Sequence, residues 1–399
     1  MTFPPLKDTK LFKPLKVGHV TLQNRTVYPP TTRMRNTIDG VPTDSVLEYY
    51  RERAVDNGGL LIFEATAPDF SFGYYSNTPI IKTPQQVAAF KKIVDAVHKE
   101  GTSISLQLWG LGRTADPSFL KKHGIDYVAP SAIYENEEKE KYAKSVDNEL
   151  RELTIPEIKN FVKEFGAAAK RAVDEAGFDF IELHAAHMYL LDQFLQEVSN
   201  KRTDEYGGSI ENRARFILEV IDECIKTVGA DHVGIRLSPY AEVQGGEGKN
   251  ARINPIVTWG YLLSEFENRA KEGNRLAYIS IVEPRVNGVE IKEENANINL
   301  KWPNLIWNGV FLRSGGFLHE PYIKTIKESI EESENTIFGF GRYFTSNPDL
   351  PNRLRNGYEL TPYERDGFYI PLSNKKYLGY PRYGEEKDTS KDDVVPQPL

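Results

Sequence analysis

Eight short apolar runs, separated by stretches of helical periodicity, constrain this chain more than any other feature. They fall at residues 25–29, 60–64, 103–108, 178–183, 233–237, 277–282, 310–313 and 336–340. Most are continuously apolar rather than alternating, which is how strands read when both faces are covered. Helical patterns lie between them, for instance at 84–99 and 156–176. Two of these begin with capping-box spacing, Thr83 to Gln86 and Thr154 to Glu157. Eight such alternations specify an α/β protein built as a single (β/α)8 barrel better than any open sheet. Ahead of the first strand, Leu15-Lys16-Val17 and Val20-Thr21-Leu22 flank Gly18-His19, a hairpin pattern. No linker divides the repeat, so residues 1–383 read as one domain.

Three segments depart from the repeat. Residues 110–152 form a long excursion after the third strand, with a charged run that reads as solvated. Residues 240–254 carry Gly245-Gly246-Glu247-Gly248 and read as a mobile loop. Residues 384–399 are charged and Pro-containing, and are expected to be disordered. A length of 399 residues is ample for one barrel with insertions. The net charge of −7, with no basic face, argues against a nucleic-acid partner. One cysteine, Cys224, leaves no internal disulfide and suits a reducing, cytoplasmic setting. The first residues, M-T-F-P-P-L-K-D-T-K, lack an apolar signal region. No run of about 18 apolar residues exists, so no membrane span is expected.

In a barrel of this kind the chemistry sits at the C-terminal strand ends. The fourth run delivers His184, His187 and Tyr189 within six positions. Two imidazoles and a phenol are hydrogen-bond donors suited to polarising a substrate oxygen. His-x-x-His is also compatible with a metal, but no Glu stands between the histidines and Cys224 lies inside a helical pattern, so no metal is expected. The first run ends in Pro29-Pro30-Thr31-Thr32, a rigid rim. Gln107 and Trp109 share a face of the third strand; a buried amide there needs partners, from backbone or ligand. Arg236 lies in an apolar strand and is costly without a partner. Gly315-Gly316 and Gly339 to Gly341, with Arg342, end the last two strands, where barrels often bind phosphate.

The run D-E-Y-G-G-S-I-E-N-R-A-R-F at 204–216, following H-A-A-H-M-Y, resembles the signature of the old yellow enzyme family, FMN-dependent ene-reductases on a TIM barrel. The resemblance extends from about residue 11 to 383. It implies that the hairpin plugs the barrel floor. It also implies tightly bound, non-covalent FMN held by Pro30, Thr32, Ala65, Gln107, Arg236, Gly315, Gly316, Gly341, Arg342 and Phe368. Thr32 would meet flavin O4 and Arg236 the N1/O2 edge. His184, His187, Tyr189, Trp109, Thr31, Tyr75 and Tyr369 would form the substrate pocket. The implied reaction is ping-pong: NADPH or NADH, as transient reductant, reduces FMN, then hydride passes from flavin N5 to Cβ of an activated alkene and Tyr189 protonates Cα. Enones, enals, nitroalkenes and phenolic ligands are the implied partners, with no nucleic acid or membrane, for a monomer or homodimer. The glycines lack G-x-G-x-x-G spacing, so a dinucleotide is not held as a prosthetic group.

Three positions depart from the family pattern. His187 stands where many members have Asn, Met188 where glycine is expected, and Arg113 where a less charged residue is usual. Two other readings stay open. One is a phenol- or steroid-binding flavoprotein with little turnover. The other is a different FMN barrel, such as a 2-hydroxy-acid oxidase, which would need a base.

Overall fold

A computed structural model describes residues 3–288 and 290–399. The hairpin of β1 (Leu15–Val17) and β2 (Val20–Leu22) pairs antiparallel, and Gly18 takes the left-handed conformation its turn requires. A side chain at Gly18 would run into the Asp231 carbonyl. Val17 and Leu22 pack with Leu60, Phe180, Tyr278 and Ile337. The hairpin therefore closes the N-terminal end of the barrel with apolar side chains.

The first barrel strands are β3 (Thr26–Tyr28), β4 (Leu60–Thr66) and β5 (Ser103–Leu108). The excursion follows, with β6 (Val128–Ala129) paired parallel to β7 (Arg151–Glu152). Next come β8 (Phe180–Ala185), β9 (Val233–Leu237) and β10 (Tyr278–Val282). A two-residue pair, β11 (Val286–Asn287) and β12 (Glu290–Ile291), precedes β13 (Phe311–Ser314) and β14 (Thr336–Gly339). The closed sheet runs β3-β4-β5-β8-β9-β10-β13-β14, with all its pairs parallel. All eight expected strands are present. The fourth begins two residues later than its apolar run, because Phe178 packs among Phe63 and Phe90 and Asp179 accepts from Ile104 N.

Both anticipated capping boxes form, at Pro84–Lys99 and Ile155–Lys170. Each satisfies two N-terminal N–H groups and fixes where its helix starts after the strand. The second helix ends at Lys170 in a wide turn, Arg171–Glu175.

The excursion is more than a solvated loop. It carries helices Pro117–Lys122 and Glu137–Ser145, and its Leu111, Leu120, Tyr127 and Leu150 form an apolar cluster with Trp109. The segment 384–399, expected to be disordered, instead runs back to the helix Asp44–Ala54. Asp44 N donates to the Gln397 carbonyl and Leu399 N to that of Pro42. Gln397 N also donates to Asp44 Oδ1, and Asn374 Nδ2 to the carbonyls of Lys391 and Val394. Among the described residues no helix is long and apolar enough to cross a membrane.

Candidate active site

A cavity of about 310 Å³ opens at the C-terminal ends of the strands. Around its rim stand Pro30, Thr31 and Thr32 after β3 and Ala65 on β4. Gln107 and Trp109 come from β5, and Arg236 from β9. Gly315, Gly316, Gly341 and Arg342 follow the last two strands, and Phe368 and Tyr369 come from the C-terminal segment. His184, His187 and Tyr189 line the same space. Tyr75 is the exception: its ring meets Trp109 edge-on and its hydroxyl donates to the Thr114 carbonyl at 3.0 Å, so it braces the wall from behind.

Strand register explains the inner face. Gln107 lies level with Glu182, and His184 level with Arg236 and, one strand on, Ser280. Residues level in a parallel sheet point the same way. Gln107 Nε2 accordingly donates to Glu182 Oε1 at 2.7 Å. Gly234 leaves room for the Tyr278 ring, which a β-carbon there would strike.

His184 stands on β8, and an unusual turn beyond it carries His187 and leads to Tyr189. His187 (φ 56°) and Met188 (φ 59°) are consecutive left-handed residues, a conformation that disfavours side chains. The two reverse the chain just beyond β8, which brings Tyr189 back over His184. Ring centroids lie 4.8 Å apart for His184 and Tyr189, and 5.8 Å for His184 and His187. Trp109 meets the Tyr189 ring edge-on at 4.9 Å. Four side chains hold this turn. Ser238 Oγ accepts from His187 N at 2.7 Å and Asp192 Oδ2 from Met188 N at 2.8 Å. Gln193 Nε2 donates to the Met188 carbonyl and Gln244 Nε2 to that of His187, both at 2.6 Å. The glycine expected at Met188 is thus explained by its φ, and the methionine is tolerated because backbone tethers over-determine the turn.

Burial and the Arg236 guanidinium both oppose a charged imidazole here. They lower His184 well below its ordinary value and His187 to about 3, so both rings are neutral near pH 7. Burial raises Tyr189, which stays protonated. Beneath them, burial lifts Glu182 to about 7, against the opposing pull of Arg236 and the Gln107 bond.

Several polar atoms on the cavity wall have no partner within the protein: His184 Nδ1, Arg236 Nε, Trp109 Nε1 and Ser314 Oγ. Buried polar groups are normally satisfied, so this wall is built for a polar ligand. At one end Gly315 (φ 131°) and Gly316 (φ 71°) turn the backbone, and the short helix Gly341–Ser346 starts beside Arg342. Backbone N–H groups and a guanidinium converging there suit a phosphate. At the other end the Thr32 hydroxyl, the Gln107 amide and Arg236 suit a ring edge carrying carbonyls and nitrogens. The donor set fits FMN.

Sequence reasoning missed the supports. Arg33 and Arg35 are buried and clasp the C-terminal segment: Arg33 Nη2 donates to the Lys376 carbonyl and Arg35 Nη2 to that of Gly367. Arg33 also lies 5.0 Å from the Phe368 ring centroid, which fixes that ring beside the cavity. The signal was present as two arginines directly after a proline-fixed rim. His319 lines the cavity with its ring 3.4 Å from an Arg342 nitrogen, and Arg365 stands beside Phe368 and Tyr369. The loop at 240–254, expected to be mobile, is tied down. Arg113 Nη2 donates to the Gln244 carbonyl, Glu242 N to Asn287 Oδ1, and Lys249 Nζ to Asn295 Oδ1. Among the described residues, the one group of three ligating side chains close enough for a metal is His19, Asp231 and His232, at the floor and away from this cavity.

Residues 10–361 match the family model described as NADH:flavin oxidoreductase / NADH oxidase family. A probable NADPH dehydrogenase of Candida albicans is 45% identical, over 99% of this chain and 95% of its own length. Enoate reductase 1 of Kluyveromyces lactis is 40% identical, over 96% of each chain. The crystal structure of an old yellow enzyme from Pichia sp. AKU4542 superimposes with a TM-score of 0.94 at 54% identity, covering 99% of this chain and all of that one.

Proposed function

The chain belongs to the NADH:flavin oxidoreductase / NADH oxidase family and is an FMN-dependent, NADPH-oxidising enzyme of the old yellow enzyme type, and from that premise we propose that its own residues reduce an activated alkene in the cavity described. The observation that carries this is the convergence of two neutral imidazoles and one protonated phenol on a single space.

When bound, FMN would supply the hydride for alkene reduction, with NADPH as its source. Thr32, Gln107 and Arg236 would hold its ring, with Pro30, Ala65 and Phe368 packed around it. Gly315, Gly316, Gly341 and Arg342 would hold its phosphate. Arg236 is suited to an edge that gains negative charge. Its carboxylate neighbour, Glu182, is lifted to about 7 and so leaves the guanidinium incompletely neutralised.

His184 and His187 donate N–H bonds to the carbonyl or nitro oxygen of an enone, enal or nitroalkene. As charge builds on that oxygen the bonds strengthen, which lowers the barrier rather than merely binding substrate. Tyr189 protonates Cα, since a buried phenol gives up a proton readily only to a strong base such as an enolate carbon. Trp109, Thr31 and Tyr369 wall the space, with Tyr75 behind. One cavity serves dinucleotide and alkene in turn, which makes the kinetics ping-pong. The buried, unpaired Cys224 suits a reducing compartment, and we assign the enzyme to the cytoplasm, as a monomer or homodimer.

An acid oxidase is disfavoured on specific grounds. It needs a base near pH 7, and these imidazoles are too weakly basic to serve. Anaerobic addition of NADPH should bleach the flavin, and 2-cyclohexenone should restore its absorbance. Bleaching without restoration would leave a binding protein and refute the reading.

A further inference from the structure

We propose that His19, Asp231 and His232 form a binding site for a divalent transition metal, Zn²⁺, on the floor of the barrel. A ligating atom of each side chain lies within 4.8 Å of those of the other two. None of the three lines the cavity at the far end of the strands. The expectation of no metal, drawn from His184, His187 and Cys224, concerned other residues. His19 and Asp231 are 212 positions apart in sequence, so neither local pattern announces the cluster.

The hairpin turn brings the two together. Gly18 is left-handed and lies so close to the Asp231 carbonyl that a β-carbon has no room. His19, the next residue, is thereby set beside the segment that enters β9. Its ring centroid stands 4.0 Å from that of His232 and 5.3 Å from that of Phe180. Asp231 and His232 follow the left-handed Gly229 that ends the helix Ile210–Val228.

Hydrogen bonding decides which nitrogens are free. A backbone carbonyl only accepts, so an imidazole nitrogen bonded to one carries the hydrogen. His232 Nδ1 lies 2.8 Å from the Asp179 carbonyl, and His19 Nδ1 3.3 Å from that of Asp231. Both rings are thus held with Nε2 as the lone-pair nitrogen. Metal-binding histidines characteristically donate their other N–H in this way. Asp179 is itself fixed: its N donates to the Ile104 carbonyl at 3.0 Å, and its Oδ2 accepts from Ile104 N at 2.8 Å and meets His98 Nε2 at 2.9 Å.

Two imidazoles and a carboxylate make a three-ligand Zn²⁺ site, with water in the fourth position. Mg²⁺ and Ca²⁺ take oxygen ligands and suit it poorly. Ligand atoms about 2.0–2.1 Å from Zn²⁺ in a tetrahedron stand about 3.4 Å apart, so the three draw in by about 1 Å on binding. His19 and Asp231 are exposed and free to do so. Asp231 also borders a hollow of about 640 Å³, which admits the water. The metal then cross-links the floor hairpin to the segment that enters β9.

The test uses untagged, FMN-loaded enzyme stripped of metal with EDTA and dialysed. Titration with ZnCl₂ against a chromophoric zinc indicator should show one equivalent per chain with a Kd of about 10 µM or tighter, and MgCl₂ should not compete. His19→Ala should weaken binding by about 100-fold or more, and Asp231→Asn by at least about tenfold, with flavin absorbance unchanged. ZnCl₂ at about 100 µM should raise the Tm of the wild type by about 2 °C or more, and that of His19→Ala by less than about 1 °C. Three results overturn the proposal. One is a Kd weaker than about 10 µM. Another is several weak equivalents that His19→Ala leaves unchanged, an adventitious ion only. The last is one tight equivalent lost in His187→Asn and kept in His19→Ala, which would place the metal in the cavity.

Discussion

Met188 offers a sharp test of the turn on which the site depends. The residue has φ 59° and a fully buried side chain. Replacing it with alanine removes packing, at about 2–5 kcal/mol for a buried methionine, and leaves the left-handed penalty in place. Replacing it with glycine loses slightly more packing and adds about 0.5–1 kcal/mol of unfolded-state entropy. It also removes the roughly 1–2 kcal/mol that an L-residue pays in this conformation. Both variants are therefore destabilised, but glycine should be the more stable of the two by about 0.5–1 kcal/mol, the reverse of the usual order. Equilibrium urea unfolding of the FMN-loaded proteins, followed by tryptophan fluorescence, measures the ranking. Alanine equal to or better than glycine would show that residue 188 is not left-handed in solution, and the geometry derived for Tyr189 would fall with it.

Other outcomes follow from the same structure. Tyr189→Phe should slow enone reduction by about 100-fold or more, the scale of a general acid, while NADPH reduces the flavin at nearly the wild-type rate; stopped-flow traces that slow together would contradict the assignment. Arg342→Ala should weaken FMN binding by about 10- to 100-fold, as for one charge-assisted contact, read from the fluorescence of released flavin; unchanged affinity would remove Arg342 from the phosphate site. His187 has a folded value of about 3 against about 6.5 unfolded, so the unfolded chain takes up the extra proton between those limits. Its contribution to stability is intact above pH 6.5 and is lost as pH falls toward 3, by at most about 2 kcal/mol between pH 7.5 and 5. His187→Asn should therefore gain on the wild type as pH drops over that range, and a pH-independent difference in urea midpoints would contradict a neutral His187.

The barrel was legible because its signal is repeated and local. A strand covered on both faces must be apolar along its length, and a capped helix announces its start, so eight copies of that pairing leave little choice of architecture. The chemistry-bearing residues were legible for a related reason. Gln107, His184 and Arg236 are polar residues inside apolar runs, and such residues need a partner. The tethers gave no such signal. Ser238, Asp192, Gln193 and Gln244 are ordinary polar residues near loops, and nothing in their spacing says that all four converge on the backbone of two residues, His187 and Met188.

That difference also explains what the signature run is for. The 204–216 segment carries the family resemblance, yet none of its residues lines the cavity, and Tyr206, Arg213, Ala214 and Phe216 are buried in the scaffold. Arg202, just ahead of it, donates to the carbonyls of Leu153 and Pro130. Asn200 bridges the carbonyls of Phe194 and Tyr206, and Arg213 Nε donates to that of Leu195. The bonds from Asn200 to Phe194 and from Arg213 to Leu195 satisfy backbone oxygens at the end of the helix Leu190–Leu195, the helix that Tyr189 opens. A residue in the cavity can change with the substrate, provided the chemistry is kept. A side chain that caps several carbonyls from one fixed geometry has few substitutes, because each orphaned carbonyl costs about 1–3 kcal/mol. Selectivity among alkenes is therefore to be sought in the cavity wall at Thr31, Trp109, Val286 and Tyr369.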